Sequence, residues 1–64
     1  MKYICKKQFR AKIDGKNYMY VPKNSVWEAK KENGMYKLER EINDKNCWIE
    51  INEAGLKMWF ERYE

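Results

Sequence analysis

The chain has 64 residues, of which 44% are hydrophobic and 16% aromatic, and it carries a net charge of +4. This share of large rings argues against a disordered chain, and the length allows one small domain with a stability on the order of a few kcal/mol. No apolar run approaches the roughly 18 residues of a membrane span, and the basic N-terminus lacks the apolar core of a signal peptide. We therefore expect a cytoplasmic protein that does not bind membranes.

The charge is unevenly distributed along the chain. Residues 1–31 contain nine Lys or Arg against two acidic residues, a net of +7, whereas residues 32–64 contain five basic and eight acidic residues, a net of −3. The two halves add to +4. The N-terminal half is therefore the part suited to an anionic partner.

Alternating residues predict a hairpin at the start of the chain. Hydrophobic and mostly basic residues alternate over about 3–13, which is typical of a strand with one wet face. Asp14-Gly15 is a two-residue turn signal, and a return strand follows at about 16–21. A two-residue loop would set Ala11 opposite Tyr18 and Phe9 opposite Tyr20, which gives two aromatic–apolar pairs across the strands.

Three more strands are predicted, over about 26–32, 35–42 and 47–51. Asn33-Gly34 favours a type I′ turn between the first two of these strands. The spacing predicts a mainly β fold, either a small five-stranded SH3-like barrel or a curved antiparallel sheet. The expected inward residues are Trp27, Ala29, Tyr36, Leu38, Ile42, Cys47, Ile49 and Ile51.

One short C-terminal helix is predicted over about 53–63, with Asn52 as its N-cap. Its apolar stripe consists of Leu56, Trp59, Phe60 and Tyr63, at helical spacing. Leu56 and Phe60 are expected in the core. Trp59 is expected at the margin of the core, and Met58 lies off the stripe. Met58 and Trp59 could therefore form a protein contact, although a lone exposed Met without a role is the simpler interpretation.

The residue types argue against an enzyme. The chain has no His and no Thr, and Ser25 is its single Ser. Because the commonest general base is missing and the three glycines are far apart, we expect no catalytic residues and no cofactor. Cys5 and Cys47 form no C-x-x-C motif and are not expected to bind metal. They are expected to be two small buried hydrophobes, with a disulfide between them as the alternative.

Four basic residues share one face of the predicted first strand: Lys2, Lys6, Arg10 and Lys12. Residues two apart in a strand are separated by about 6–7 Å, which suits contact with a phosphate backbone. However, Tyr3 and Phe9 lie on the opposite face of that strand, whereas single-strand-binding proteins combine their charges with stacking aromatics. The alternative interpretation is an edge strand whose lysines prevent sheet-to-sheet aggregation.

Two stretches of the sequence resemble a known group of proteins. These are Y-V-P-K-N-S-V-W-E at Tyr20–Glu28, and W-I-E-I at Trp48–Ile51 followed by a short helix that ends at Phe60-Glu61. The pattern resembles short uncharacterised proteins carried by phages, plasmids and integrated elements of Gram-positive bacteria. The resemblance implies a small SH3-like barrel with a C-terminal helix, and a role as a mobile-element accessory protein that engages a host or phage component.

The leading expectation is a non-enzymatic binding module that contacts an unknown protein through exposed strand edges or through Met58 and Trp59. The alternative is a nucleic-acid-binding module that uses the basic first strand. A homodimer that buries its own edge strand is compatible with both.

Overall fold

The computed structural model describes residues 1–63 and confirms a mainly β fold with one short helix near the C-terminus. The elements in chain order are β1 (Lys2–Cys5), β2 (Phe9–Lys12), β3 (Tyr18–Val21), β4 (Val26–Glu32), β5 (Met35–Ile42), β6 (Lys45–Ile51), α1 (Glu53–Trp59) and β7 (Phe60–Arg62).

The strands form two antiparallel sheets. The larger sheet has the order β6-β5-β4-β1-β7, and β2 and β3 form a separate two-stranded sheet. The sheets meet at a seam where the Trp48 N–H donates to the Ile13 carbonyl. They do not close into a barrel, so the open, curved-sheet alternative describes the fold better than a closed SH3-like barrel.

The prediction of one long strand over 3–13 is wrong, because the chain leaves the large sheet after Cys5. At the break, the Lys6 N–H donates to the Trp59 carbonyl at 2.8 Å, and the Cys5 carbonyl accepts from the Asn24 N–H at 2.8 Å. These contacts from distant segments satisfy the backbone groups that a continuous strand would offer to a neighbour. As a result β1 pairs with β4 and β7, whereas β2 pairs with β3.

The predicted register of the first hairpin is also wrong by one residue. The return strand starts at Tyr18, and the loop closes where the Ile13 N–H donates to the Asn17 carbonyl at 3.0 Å. The Asp14 carboxylate stabilises this longer loop by accepting from the N–H groups of Lys16 (2.9 Å) and Asn17 (2.7 Å). A slip of one residue moves every side chain of a strand to the other face of the sheet.

The second hairpin has the predicted bounds and register. Asn33 and Gly34 both have positive φ, 49° and 80°, as a type I′ turn requires. A two-residue turn at these positions sets Ala29 opposite Leu38 and Lys31 opposite Tyr36, and both pairs are observed.

A second tight turn moves the start of β6 from the predicted residue 47 to Lys45. Asn43 and Asp44 both adopt positive φ, 51° and 64°. Asn and Asp tolerate this conformation better than other non-glycine residues. The pairing of β5 with β6 therefore extends to Ile42 and Lys45.

Nine hydrophobic residues form the buried core: Cys5, Val21, Trp27, Ala29, Leu38, Cys47, Ile49, Leu56 and Phe60. The predicted burial of both cysteines is confirmed, and both thiols are free. Ser25 is a buried polar residue whose hydroxyl donates to the Pro22 carbonyl at 2.6 Å and accepts from the Trp27 indole N–H at 2.9 Å. This contact fixes the orientation of the largest buried ring.

The helix ends at Trp59, four residues before its predicted end at 63. Its N-cap is as predicted, since the Asn52 side chain accepts from the Gly55 N–H at 2.8 Å. Phe60 turns to an extended conformation and pairs with Cys5, so β7 takes the open edge of β1. Strand pairing thus replaces the last helical turn, and Tyr63 is 55% exposed instead of completing the apolar stripe.

Candidate nucleic-acid interface

The four basic residues of the predicted first strand do not lie on one face. Lys2 remains on β1, directly opposite Glu28 of β4. Lys6 lies at the break after β1, and its ammonium donates to the Lys57 carbonyl at 2.9 Å, near the C-terminal end of α1, where the helix dipole favours a cation. Arg10 and Lys12 stay together on β2.

Two tyrosines lie directly opposite these two basic residues. In the observed register Arg10 pairs with Tyr20 and Lys12 pairs with Tyr18, so all four side chains share one face of the two-stranded sheet. Tyr18 and Tyr20 are 57% and 61% exposed. We call this set, Arg10, Lys12, Tyr18 and Tyr20, the hairpin face.

The cations of the hairpin face contact one of its rings. The Arg10 guanidinium carbon lies 4.9 Å from the centroid of the Tyr18 ring, and the Lys12 ammonium lies 5.5 Å from it. Both distances are within the range of cation–π attraction, which is worth about 0.5–1 kcal/mol at an exposed site. These contacts hold both charges close to Tyr18 and keep the basic and aromatic groups together.

The opposite side of the hairpin is anchored to the rest of the fold. Phe9 stacks on Trp59, with ring centroids 4.9 Å apart and an angle of 21° between the planes. Phe9 also forms a T-shaped pair with Phe60, with ring centroids 5.8 Å apart. Trp59, predicted as a protein contact, is therefore half-buried and supports the hairpin. Met58, the other predicted contact residue, is 65% exposed.

The net charge also differs between the hairpin and the rest of the chain. Residues 6–23, which contain the hairpin, have six Lys or Arg and one acidic residue, a net of +5. The remaining residues have eight basic and nine acidic side chains, a net of −1, and the two add to +4. The field that attracts an anion is thus concentrated around the hairpin.

Asp14 is the acidic residue of this basic segment, and it is held in the turn at the tip. Hydrogen bonds from the N–H of Asn17, from the N–H of Lys16 and from the Asn17 side chain lower the pKa of the Asp14 carboxyl below its usual value. The Asp14 carboxylate is therefore held by hydrogen bonds within the turn. In the core, burial raises the pKa of the Cys5 thiol, although a hydrogen bond with the Lys7 backbone partly opposes this effect.

Within residues 1–63, no group of three or more His, Cys, Asp or Glu residues could hold a metal ion. The one helix in this range is too short to span a bilayer. No protein-family model matches the chain. The searches of curated proteins and of solved structures likewise gave no significant match.

Sequence reasoning identified Arg10 and Lys12 but missed Tyr18 and Tyr20, which were expected on the apolar face. The signal that could have found them is Asp14. An Asp side chain often bonds to backbone N–H groups two or three residues further on, which favours a longer turn than the two-residue loop that Asp-Gly suggests. The longer turn shifts the register by one residue and brings both rings beside the cations.

Proposed function

We propose that this protein binds single-stranded nucleic acid through the hairpin face. The observation that supports this most is the register that sets Tyr18 and Tyr20 opposite Lys12 and Arg10. Exposed aromatic rings beside basic side chains are the combination used by proteins that bind single strands without sequence preference. Phe9 lies on the side of the hairpin opposite the charges, as expected from the sequence, but Tyr18 and Tyr20 place two other rings on the charged face.

The two kinds of side chain contribute different contacts. Arg10 and Lys12 contact phosphates and release bound counterions, which makes the affinity depend on salt. Tyr18 and Tyr20 are two residues apart, so their rings stand about 6–7 Å apart along the strand. Each ring can stack on one base, at about 1–3 kcal/mol per base. The face is therefore suited to about two nucleotides, with further attraction from the surrounding lysines.

Single strands fit this face better than a duplex. The faces of the bases are accessible to tyrosine rings when the bases are unpaired, whereas a duplex presents phosphates and groove edges. A duplex would therefore gain from the charges of the hairpin and little from its rings. We expect oligo-dT to bind more tightly than a duplex of the same length.

The test is fluorescence anisotropy with labelled oligo-dT and a matched duplex, titrated at several salt concentrations. Replacing both tyrosines (Tyr18→Ala and Tyr20→Ala) should weaken binding to oligo-dT at least tenfold, since about 1–3 kcal/mol is lost per base. It should change binding to the duplex much less. Loss of affinity for both ligands in equal measure would contradict the stacking role.

The charges are tested by a second pair of substitutions, Arg10→Gln with Lys12→Gln. The slope of log affinity against log salt should become shallower by about 0.7 for each phosphate of a single strand that the variant no longer neutralises. The control is Lys30→Gln with Lys45→Gln, which removes the same charge from exposed positions of the large sheet. If the control changes the slope as much, binding follows net charge alone and the hairpin face is not the site.

Met58 supports a second candidate function, contact with a protein partner. It is the most exposed large hydrophobic residue of the described chain, at 65%. In this candidate the protein is the accessory protein that the phage resemblance implies, and it engages a host or phage protein. A pull-down from a nuclease-treated Gram-positive lysate at high salt tests it. A specific partner should be lost with Met58→Lys and retained with Met35→Lys, a change at another exposed methionine.

A further inference from the structure

The outer edge of β3 is open and unprotected. Within residues 1–63, β3 pairs with β2 along one side and with no strand along the other. Three of its four residues, Tyr18, Met19 and Tyr20, are large and exposed, and none is charged. Soluble proteins usually protect an edge strand with a charge, a proline or a bulge, because unpaired backbone groups attract another strand.

Along the β2–β3 ladder, hydrogen-bonded pairs alternate with non-hydrogen-bonded pairs. This alternation determines which backbone groups of β3 point away from β2. The bond between Ile13 and Asn17 makes them a hydrogen-bonded pair, and such pairs alternate along an antiparallel ladder. Met19, two residues after Asn17, therefore directs its backbone groups towards Ala11 on β2. The N–H and C=O groups of Tyr18 and Tyr20 point away from β2, towards the open edge.

This open edge is short and symmetric. Before the N-terminal end of β3, the outward N–H of Lys16 already donates to the Asp14 carboxylate at 2.9 Å. After its C-terminal end, residue 22 is a proline and has no N–H. The outward donors between these limits belong to Tyr18 and Tyr20, which lie one residue on either side of Met19.

We propose that two copies of the chain pair through this edge, antiparallel, about a two-fold axis at Met19. Tyr18 of each copy then exchanges both backbone hydrogen bonds with Tyr20 of the other copy, which gives four bonds in all. The two Met19 residues form the non-hydrogen-bonded pair between them, where side chains approach most closely. Met19 is 38% exposed on the side opposite the hairpin face, and a second Met19 covers it.

The dimer extends the binding surface. Pairing β3 with β3 joins the two small sheets into one of four strands, and the hairpin faces of both copies lie on the same side of it. The combined surface holds four tyrosines, two arginines and two lysines. A single strand of nucleic acid can then cross from one copy to the other. This part of the inference rests on the proposed function.

The size and charge of the contact make it dependent on the ligand. Stable interfaces bury about 1,200–2,000 Å² in total, and a three-residue edge provides much less. The two hairpin segments, each with a net charge of +5, also repel one another. A polyanion that lies across both hairpins offsets this repulsion. We therefore expect a monomer at low protein concentration and a dimer when a long oligonucleotide is bound.

Cross-linking tests the pairing directly. In a non-hydrogen-bonded pair the Cα atoms are about 4.5 Å apart, which a disulfide can span. Met19→Cys should therefore form a covalent dimer under mild oxidation, and oligo-dT of about 16 nucleotides should accelerate it, whereas about two nucleotides, which occupy one hairpin face, should not. Met35→Cys is the control, because Met35 is 39% exposed against 38% for Met19. The native cysteines are buried.

Sedimentation velocity with an excess of the long oligo-dT over protein provides the second measurement, because independent monomers then occupy separate oligonucleotides. Met19→Lys sets two like charges against each other at the axis and should change the complex from two proteins per oligonucleotide to one. Met35→Lys adds the same charge elsewhere and should leave two. If Met19→Cys cross-links no faster than Met35→Cys, the pairing is wrong, whatever the stoichiometry.

The remaining outcomes separate this inference from the proposed function. If oligo-dT binds but neither cross-linking nor the Met19→Lys effect is seen, the hairpin face binds nucleic acid as a monomer and the dimer is wrong. If Met19→Cys cross-links equally with and without oligo-dT, and oligo-dT does not bind, the edge pairs but the proposed function fails. If Met19→Cys cross-links in a lysate to a foreign polypeptide and not to itself, the edge accepts a different strand and the dimer is again wrong.

Discussion

The five-stranded sheet and the β2–β3 hairpin of this protein differ in how many hydrophobic residues they bury and in how much charge they carry. Of the nine buried hydrophobic residues among residues 1–63, Val21 is the one that the hairpin provides. The hairpin segment instead carries a net charge of +5 and exposes Tyr18 and Tyr20, whereas the rest of the chain is close to neutral. An isolated two-stranded hairpin is at best marginally stable in water.

This difference shows how a 64-residue chain can combine a core with a binding surface. A ring that is buried in the core cannot contact a ligand. In this protein the large sheet and α1 provide most of the core, which leaves the rings of the hairpin free to be exposed. The hairpin needs few buried residues of its own because Phe9 stacks on Trp59 and Ile13 is bonded to Trp48 across the seam. We expect substitutions in the two regions to affect different properties.

The largest expected contrast is between Leu38→Ala and Tyr20→Ala. Leu38 is fully buried in β5, and its truncation should cost about 2–5 kcal/mol of the free energy of unfolding. Tyr20 is 61% exposed, and its truncation should change stability by about 0.5 kcal/mol or less. Urea unfolding followed by tryptophan fluorescence measures both. Comparable losses for the two variants would mean that the hairpin belongs to the core after all.

A smaller effect is expected at the junction between the regions, with Ser25→Ala. This change removes the acceptor of the buried Trp27 indole N–H and should cost about 1–3 kcal/mol. The control is Asn46→Ala, which removes an exposed bond to Glu39 of 3.2 Å and should cost about 0.5 kcal/mol or less. Equal costs in urea unfolding would show that water satisfies the indole N–H and that burial of this contact does not matter.

The two hairpin turns offer a matched pair, Gly15→Ala and Gly34→Ala. Both glycines have φ of 80°, so each alanine should cost about 1–2 kcal/mol of backbone strain. At Gly15 the added methyl group would also lie 3.2 Å from the Trp48 ring, whereas Gly34 has open space around it. Thermal unfolding should therefore show a lower midpoint for Gly15→Ala. Equal midpoints would indicate that the Trp48 ring moves aside without a loss of stability.

The smallest expected effect is a pH dependence confined to the hairpin tip. The pKa of Asp14 is lower in the folded protein than in the unfolded chain. Its contribution is therefore fully present above the unfolded pKa, about 3.9, and is lost as the pH falls through the lower folded pKa. Amide chemical shifts of Lys16 and Asn17 should move in this window. Asp14→Asn should abolish this movement, and persistence of it would assign the titration to another group.

Several features followed from local sequence alone. Asn33-Gly34 specified the turn and register of the second hairpin, because both residues tolerate positive φ. Asn52 specified the start of the helix, and the alternation of apolar residues identified the inward face of β4 and β5. The basic residues Arg10 and Lys12 could be named as a candidate site. Each of these features depends on interactions within a few residues, which a sequence displays directly.

The tertiary structure decided the features that depend on distant partners. Contacts from Trp59 and Asn24 end β1 after Cys5, and pairing of β7 with β1 ends the helix at Trp59. The register of the first hairpin is a different case, because its determinant is local: the Asp14 carboxylate binds N–H groups two and three residues further on, and these bonds compete with the two-residue loop that Asp-Gly suggests. Composition determined that this chain would be basic and aromatic, and the spacing of its strand and turn patterns determined that it would be mainly β. Only folding brought the tyrosines to the charged face, because a shift of one residue reverses the side of a strand on which every side chain lies.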